Sequence, residues 1–331
     1  MLKPKMVIIA AIALVLSGIT GIQPGCKSKK VEQSAKITIA VSRQPISAPV
    51  YVAYSRGYFK REGLQVSLQP YWTGKDALDA VISGKAHFAT VAETPVMFAG
   101  LKGERIFVVA TIADSNKYMK IVARKDNGIS GPQDLKGKTI GVSLGTNSEY
   151  YLHTYLVFNK ISEDSVHIVN VSPDKTADAL ARGNIDAAVS WKPHITNQQR
   201  TLGANAVTLS NDNIYKIWWN IVAGQDLVKT NPGTVTKILR ALMQSEKYIR
   251  DNPDGASMIV AGFLGQDAVT LGDYNFDIQL GQALILDLED QARWAIRNRL
   301  TDQKEVPNFM NYMYEQSMDA VDPASVLIIN R

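Results

Sequence analysis

Cysteine is nearly absent from this sequence: Cys26 is the one cysteine among 331 residues, and the four histidines are scattered. One cysteine excludes an intrachain disulfide and a cysteine-rich zinc module. The histidines form no HExxH pattern, so the sequence predicts no metal site, and no motif indicates a cofactor. The formal net charge of +5 is not gathered into the dense basic stripe of nucleic-acid-binding proteins, so no nucleic-acid partner is expected.

Long apolar runs are also scarce. The run Met6–Leu16 would rise only about 16 Å as a helix, too short for a bilayer core of roughly 30 Å. Lys3 and Lys5 precede this run and small residues follow it, a pattern typical of a secretory signal. Residues 1–25 are therefore predicted to be a signal peptide, which places the protein outside the cytoplasm.

Cys26 stands where a bacterial lipoprotein signal places its lipid-bearing cysteine, directly after a small residue. Gln23 and Pro24 depart from that pattern, so an ordinary signal peptide with an incidental cysteine is the alternative. The polar residues 26–35 suit a tether. The hypothesis is a protein on the periplasmic or cell-surface face of a bacterial membrane, held there only by a lipid at Cys26.

Strand and helix patterns alternate through the body of the chain. Alternating or continuous apolar runs predict strands, and apolar residues at helical spacing predict helices between them. The predicted strands are 36–41, 64–68, 88–92, 138–142, 166–171 and 187–189, and the helices include 75–83, 147–159 and 175–182. This order predicts mostly parallel sheets with right-handed crossovers.

The two halves of this pattern repeat one another, which predicts two α/β domains of similar construction. The predicted boundaries are 36–122 for a first lobe and 123–215 for a second lobe. Residues 216–331 would form a return crossover and a largely helical C-terminal region that packs on the first lobe.

Short blocks of sequence then resemble a known family, in its expected order. The blocks are 49–53, 56–59, 62–66, 74–89, 130–142, 179–187 and 191–193. Together they resemble the periplasmic solute-binding proteins of nitrate/sulfonate/taurine-type ABC importers, of the NMT1/THI5-like kind, which also include binders of thiamine-precursor pyrimidines. His87 and Gln65 replace aspartates that are usual in two of these blocks.

The resemblance implies an α/β fold of the bilobed periplasmic-binding-protein type (type II). It consists of two mixed sheets with flanking helices, joined by two crossover strands. It also implies a monomeric, non-enzymatic protein that captures a small organic solute between its lobes. That solute would be a sulfonate, a taurine-like compound or another nitrogen-bearing compound, delivered to an ABC permease and its ATPase subunit.

The alternative is thiamine-precursor pyrimidine binding, or a pyrimidine-synthesis-like enzyme on the same fold. That enzyme branch uses a cysteine-rich stretch, whereas no cysteine follows Cys26 here. The ligand domain of a transcriptional regulator would also share the fold, but it would carry a DNA-binding helix pair in place of an export signal.

Ligands of open α/β sheets bind beyond the carboxyl ends of the strands, where helix N-termini offer free N–H groups. The loops that follow the predicted strands therefore supply the candidate ligand-binding residues. They are Arg43, Gln44, Ser47, Trp72, Thr73, Gly74, Glu93 and Thr94 in the first lobe, Ser143, Thr146, Asn147 and Trp191 in the second, and Trp218 in the return crossover.

Two of these loops, Thr73-Gly74 and Gly145-Thr146-Asn147, are candidate anion cradles, because glycine lets backbone amides approach a ligand and threonine adds a hydroxyl. The alternative for both is a plain helix cap. Other residues leave similar choices open. The Glu93 carboxylate would either accept a hydrogen bond from an amine or another donor of the ligand or simply lie near a helix N-terminus. The Arg43 guanidinium would either bind an anion or be exposed to solvent.

The tryptophans would stack on a flat or cationic ligand or would pack between domains. Trp218 and Trp219 are consecutive in an extended segment, so at most one of them should face the ligand.

Overall fold

The computed structural model describes residues 35–329. The predicted signal peptide, Cys26 and residues 27–34 of the predicted tether lie outside the described residues. The strands are β1 Ala35–Ser42, β2 Leu64–Tyr71, β3 Phe88–Ala92, β4 Ile106–Ser115, β5 Lys120–Arg124, β6 Thr139–Val142, β7 His167–Asn170, β8 Ala187–Ser190, β9 Ala206–Leu209, β10 Ile217–Gly224, β11 Leu280–Gly281 and β12 Val326–Leu327. The α-helices are α1 Ala48–Ser55, α2 Tyr58–Arg61, α3 Gly74–Ile82, α4 Glu93–Leu101, α5 Asn147–Phe158, α6 Thr176–Ala181, α7 His194–Leu202, α8 Gln225–Thr230, α9 Pro232–Asp251, α10 Pro253–Leu264, α11 Gln282–Arg297 and α12 Glu315–Asp319.

Two five-stranded sheets form the framework. The first sheet has the order β2-β1-β3-β10-β4 and the second β7-β6-β8-β5-β9. In the first, β1 is parallel to β2 and β3, while β10 is antiparallel to β3 and β4. In the second, β6 is parallel to β7 and β8, while β5 is antiparallel to β8 and β9.

The fold class implied by the resemblance, two mixed sheets with flanking helices, is confirmed. The expectation of mostly parallel sheets, drawn from the strand-helix alternation alone, is wrong. The expectation failed because each sheet contains one strand that directly follows a crossover and runs antiparallel to both of its neighbours. This strand is β10 in the first sheet and β5 in the second.

Two segments connect the sheets. Residues 116–119 lead from β4 to β5, and residues 210–216 return from β9 to β10. The first lobe is defined here by the first sheet and the helices packed on it, and the second lobe by residues 120–209. The predicted lobe boundary after residue 122 falls inside β5, beyond the first crossover.

The first sheet is covered by helices on both faces, because its strands alternate buried residues between them. Ile221 of β10 belongs to the apolar cluster that includes α1, α9 and α10, whereas the next residue, Val222, belongs to the cluster of α4 and α11. The C-terminal helices α9, α10 and α11 thus pack on the first lobe. No helix among residues 35–329 combines the length and apolar character needed to cross a membrane.

Candidate functional site

An aromatic cluster lies where the carboxyl ends of strands from both lobes meet the crossovers. Tyr118, in the first crossover, is buried, and its ring centroid lies 6.3 Å from that of Trp191 with the planes only 10° apart. It lies 6.5 Å from the ring of Trp219 and 6.4 Å from that of Tyr274. These four residues, called the aromatic cluster below, come from the first crossover, the second lobe, strand β10 and the C-terminal region.

The polar residues that follow β1 are hydrogen-bonded to one another. Gln44 donates from Nε2 to Ser42 Oγ (2.8 Å) and accepts at Oε1 from the Tyr118 hydroxyl. Ser47 Oγ donates to the Ser42 carbonyl (3.1 Å) and accepts from Trp219 Nε1 (3.0 Å). All three polar residues are buried, so this part of the cleft wall is held in one arrangement.

Glu93 begins helix α4 and has no exposed surface. Its carboxyl group accepts hydrogen bonds from the Tyr215 hydroxyl, from the Trp218 backbone N–H (3.0 Å) and from Gln291 Nε2 (3.2 Å). Thr94 adds a longer bond from Oγ1 at 3.4 Å. Burial raises the pKa of Glu93 to about 7, and the bonds from Tyr215 and Trp218 act in the opposite direction. This carboxyl group therefore ties α4 to the return crossover and to α11.

The two glycine-threonine loops begin helices in a conventional way. Thr73 caps α3 by accepting from the Asp76 N–H (3.0 Å), and its hydroxyl also donates to the Asp76 carboxylate (2.7 Å). Thr146 caps α5 by accepting from the Ser148 N–H (3.2 Å) and donates to the Ser143 carbonyl (2.6 Å). Both threonine hydroxyls are thus used inside their own loops.

Gly74 and Asn147 also contact protein groups. A Cβ added at Gly74 would lie 2.9 Å from Val91 Cα, so the glycine is needed where α3 approaches strand β3. Asn147 donates from Nδ2 to the Met119 sulfur at 3.3 Å. Asn147 therefore links the second lobe to the first crossover.

Trp191 differs from these residues. It is 2% exposed, and its indole Nε1 has no hydrogen-bond partner among the described residues. His194 packs edge-on against it, with the ring centroids 5.8 Å apart, and burial lowers the pKa of His194 to about 4. A buried N–H group without an acceptor is costly, and such groups in folded proteins call for an explanation.

Trp218 and Trp219 point to opposite faces of β10. Trp218 Nε1 donates to Asp287 of α11, and the ammonium nitrogen of Lys216 lies 4.5 Å from its ring centroid. Trp219 packs in the other apolar cluster and contacts Tyr118. Of the pair, Trp219 belongs to the aromatic cluster, whereas Trp218 lies against helix α11.

A second feature, called the mouth pocket below, lies next to the aromatic cluster. Arg43 lies 4.8 Å from the ring centroid of Trp72, which is 49% exposed, and donates from a terminal guanidinium nitrogen to the Leu264 carbonyl (3.3 Å). The mouth pocket has a volume of about 610 Å³. Arg43 and Trp72 line it together with the loop 264–270 and with second-lobe residues that include Lys192 and Arg200.

Sequence reasoning located the strand-end loops and left the choice between Trp218 and Trp219 open. It missed several other residues around these loops, namely Tyr118, Tyr215, Tyr274, Lys192, Arg200 and the loop 264–270. The apolar run from Ile106 to Ala113 was the available signal for β4, and thus for a crossover at Tyr118. Among residues 35–329, no group of three or more His, Cys, Asp or Glu side chains is placed to hold a metal ion.

Comparisons with known proteins bear on the family and the fold. The family model described as "NMT1/THI5 like" matches residues 44–256. The taurine-binding periplasmic protein of Escherichia coli (strain K12) is 25% identical over 67% of this chain and 69% of its own length. The riboflavin-binding protein RibY of Chloroflexus aurantiacus is 27% identical over 75% of this chain and 71% of its own.

Among solved structures, the alkanesulfonate-binding protein SsuA from Xanthomonas axonopodis pv. citri, bound to MOPS, superposes with a TM-score of 0.72 at 17% sequence identity. The superposition covers 85% of this chain and 99% of that one. This likeness concerns the fold: the bilobed arrangement of two mixed sheets is that of a periplasmic binding protein.

Proposed function

Since the chain belongs to the NMT1/THI5-like family, we propose that it is the substrate-binding component of an ABC importer and captures one small organic solute between its two lobes. The relatives reported above are named as binding proteins, and one is named as periplasmic. Delivery would be to a permease with its ATPase subunit, and the protein would act as a monomer outside the cytoplasm.

The observation that carries this proposal is the unpartnered indole of Trp191. This residue is a member of the aromatic cluster, to which both lobes contribute, and its buried Nε1 has no partner among the described residues. A solute that offers an acceptor to this N–H and an apolar body to the rings would contact both lobes at once. Because such a ligand favours the state in which both contacts exist, its binding would stabilise the closed arrangement.

The aromatic cluster favours an organic solute over a bare inorganic anion, because the rings offer apolar area and few hydrogen bonds. A sulfonate, a taurine-like compound or another nitrogen-bearing compound would fit this description. A flat heterocycle such as a thiamine-precursor pyrimidine is a second candidate, favoured by the nearly parallel rings of Tyr118 and Trp191 and by the named ligand of the Chloroflexus relative.

Attachment to the membrane is proposed to occur only through a lipid at Cys26. The support is the position of this cysteine after a short apolar run and a small residue. Cys26→Ser should move the mature protein from the membrane fraction to the soluble fraction, and identical fractionation of variant and wild type would contradict the anchor.

The binding proposal is tested by a thermal-shift screen of sulfonates, taurine, polyamines, pyrimidines and riboflavin, followed by calorimetry on Trp191→Phe. The variant keeps a ring and removes the N–H donor. For a charged acceptor, the lost hydrogen bond costs about 1.5–3 kcal/mol, or roughly 10- to 150-fold in affinity.

Trp294→Phe is the matched control. Trp294 is also buried with an unpartnered Nε1, but it packs against Phe98, Tyr150 and His153, away from the aromatic cluster. The two variants should have similar stability, and only Trp191→Phe should bind weakly. Equal affinities of the two variants, or no stabilising compound in the screen, would count against the proposed function.

A further inference from the structure

The mouth pocket gathers positive charge from both lobes. Arg43 belongs to the first lobe, and Lys192 and Arg200 belong to the second, while Asp267 is the acidic residue of the lining. Lys192 is paired with Asp273 at 2.6 Å. Neither arginine has a carboxylate within salt-bridge distance among residues 35–329.

We propose that this pocket binds an anionic group of the solute, such as a sulfonate, a carboxylate or a phosphate, with Arg43 as its principal ligand and Arg200 and Lys192 as supporting charges. The inference rests on the proposed function, because it assigns one end of the solute that binds between the lobes. It moves the expected anion site from the glycine-threonine loops to side chains at the mouth of the cleft.

Arg43 is held in place for this task. Its guanidinium lies over the ring of Trp72 and gives one hydrogen bond to the Leu264 carbonyl. A guanidinium carries five N–H donors in a fixed plane, so other donors remain for a ligand. Two parallel bonds from one guanidinium to an oxyanion are among the stronger hydrogen bonds in proteins, and a fixed side chain loses little entropy in making them.

The helix N-termini are weaker candidates for the same anion. The hydroxyls of Thr73 and Thr146 already cap their own helices, and Gly74 lies against the backbone of β3. Within residues 35–329, no lysine or arginine is within hydrogen-bond distance of either threonine side chain. The positive side chains of the mouth pocket would therefore stabilise an anionic group of the solute more than the two helix N-termini would.

The mouth pocket is continuous with the aromatic cluster along the chain. Arg43 precedes Gln44, whose side chain accepts from Tyr118, and Lys192 follows Trp191. On this proposal, one solute would place its body against the rings and its anionic group among the cations.

Closure of the lobes gives the anion a further role. It brings Arg43 of one lobe and Arg200 of the other to a single pocket, where their like charges repel, while the charge of Lys192 is already compensated by Asp273. An anion between them replaces repulsion with attraction. The charged end of the solute would thus favour closure, and neutral analogues would favour it less.

The test compares two probes with the same ring, benzenesulfonate and benzenesulfonamide, by calorimetry. Wild type should bind the charged probe more tightly, and added salt should weaken the binding of that probe alone. Arg43→Gln should lower the affinity for benzenesulfonate roughly tenfold or more, and Arg200→Gln by a few-fold. The affinity for benzenesulfonamide should stay the same in both variants.

Arg240→Gln is the control, because Arg240 is an exposed arginine on α9 outside the pocket. If Arg43→Gln and Arg200→Gln bind benzenesulfonate like wild type, the inference is overturned. Binding of both probes that still depends on Trp191 would then leave the proposed function standing. Absence of benzenesulfonate binding at millimolar concentration would also overturn the inference, whereas stabilisation by another solute would still support the proposed function.

Discussion

The two lobes line the cleft with buried polar side chains of different character. In the first lobe, Ser42, Gln44, Ser47, Thr90 and Glu93 are all hydrogen-bonded to protein groups. In the second lobe, two buried atoms lack a partner among the described residues: Trp191 Nε1, and Oε1 of Gln198, whose amide nitrogen donates to Thr176 and Ser190. The unpartnered atoms on the first-lobe side, Gln291 Oε1 and Trp294 Nε1, lie in helix α11.

This difference separates groups that hold the fold from groups that are available to a ligand. A satisfied network fixes its members in one arrangement, and removing a member leaves the others unpaired. An unpaired buried donor lowers stability until an acceptor arrives, and a ligand that supplies the acceptor removes this cost. We therefore expect substitutions on the first-lobe side to lower stability and substitutions on the second-lobe side to lower affinity.

The largest effect is expected at Glu93. Glu93→Ala would leave the Tyr215 hydroxyl, the Trp218 N–H and the Gln291 amide without their acceptor. Each buried donor left unpaired costs about 1–3 kcal/mol, so the loss of all three acceptors should lower the free energy of unfolding by at least about 3 kcal/mol. Urea unfolding measures the loss.

Glu305→Ala is the control for this measurement, since Glu305 is exposed and its stability change should be close to zero. A Glu93→Ala variant as stable as the Glu305→Ala variant would show that the first-lobe network is not a structural support. The contrast between the lobes would then disappear.

Much of the fold could be predicted from local pattern. Strand β2 and helix α3 were found because alternation and helical spacing are local signals, with Leu64 in β2 and Ala77 and Leu78 in α3 all buried. The direction of β5 and β10 was not found, because it depends on which strands each one meets after a crossover. That is a long-range property, and single strands carry no signal for it.

The candidate site was predictable to the level of loops. The rule that ligands bind beyond strand ends selected Arg43 and Trp191, which lie beside the cleft. Which of Trp218 and Trp219 faces the cleft could not be predicted, because it depends on the register of β10 against β3 and β4. Arg200 was also missed, since helix α7 brings it to the mouth pocket only through the packing of the second lobe.

The pH dependence of stability offers a second way to compare the lobes. The pKa of Glu93 is raised to about 7, so its contribution to stability is full below about pH 4.5 and is lost as the pH rises towards 7. The pKa of His194 is lowered to about 4, so its contribution is full above about pH 6.5 and is lost as the pH falls towards 4. Each contribution is about 3 kcal/mol, and in wild type the two oppose one another.

Single variants should separate the two contributions. Compared with wild type, Glu93→Gln should lose stability more steeply as the pH falls from 7 to 5, because only the His194 contribution remains. His194→Gln should instead gain stability over the same range. Urea unfolding at several pH values gives both profiles, and profiles parallel to that of wild type would contradict the two assignments.

The smallest effects are expected at two glycines near the starts of helices, Gly74 as the first residue of α3 and Gly145 just before the Thr146 cap of α5. In Gly74→Ala the new Cβ would meet Val91 Cα at 2.9 Å, and because backbone cannot move as easily as a side chain, the cost should be about 1–3 kcal/mol. In Gly145→Ala the nearest atom is Lys75 Cε at 3.5 Å, an ordinary contact, so the cost comes from the φ of +72° and should be about 1 kcal/mol.

Gly145→Asn is the control, since asparagine tolerates this backbone conformation and should recover part of the loss. Urea unfolding of the three variants tests whether the first-lobe edge is the more tightly packed one, and a Gly74→Ala variant that is no less stable than Gly145→Ala would reverse that conclusion.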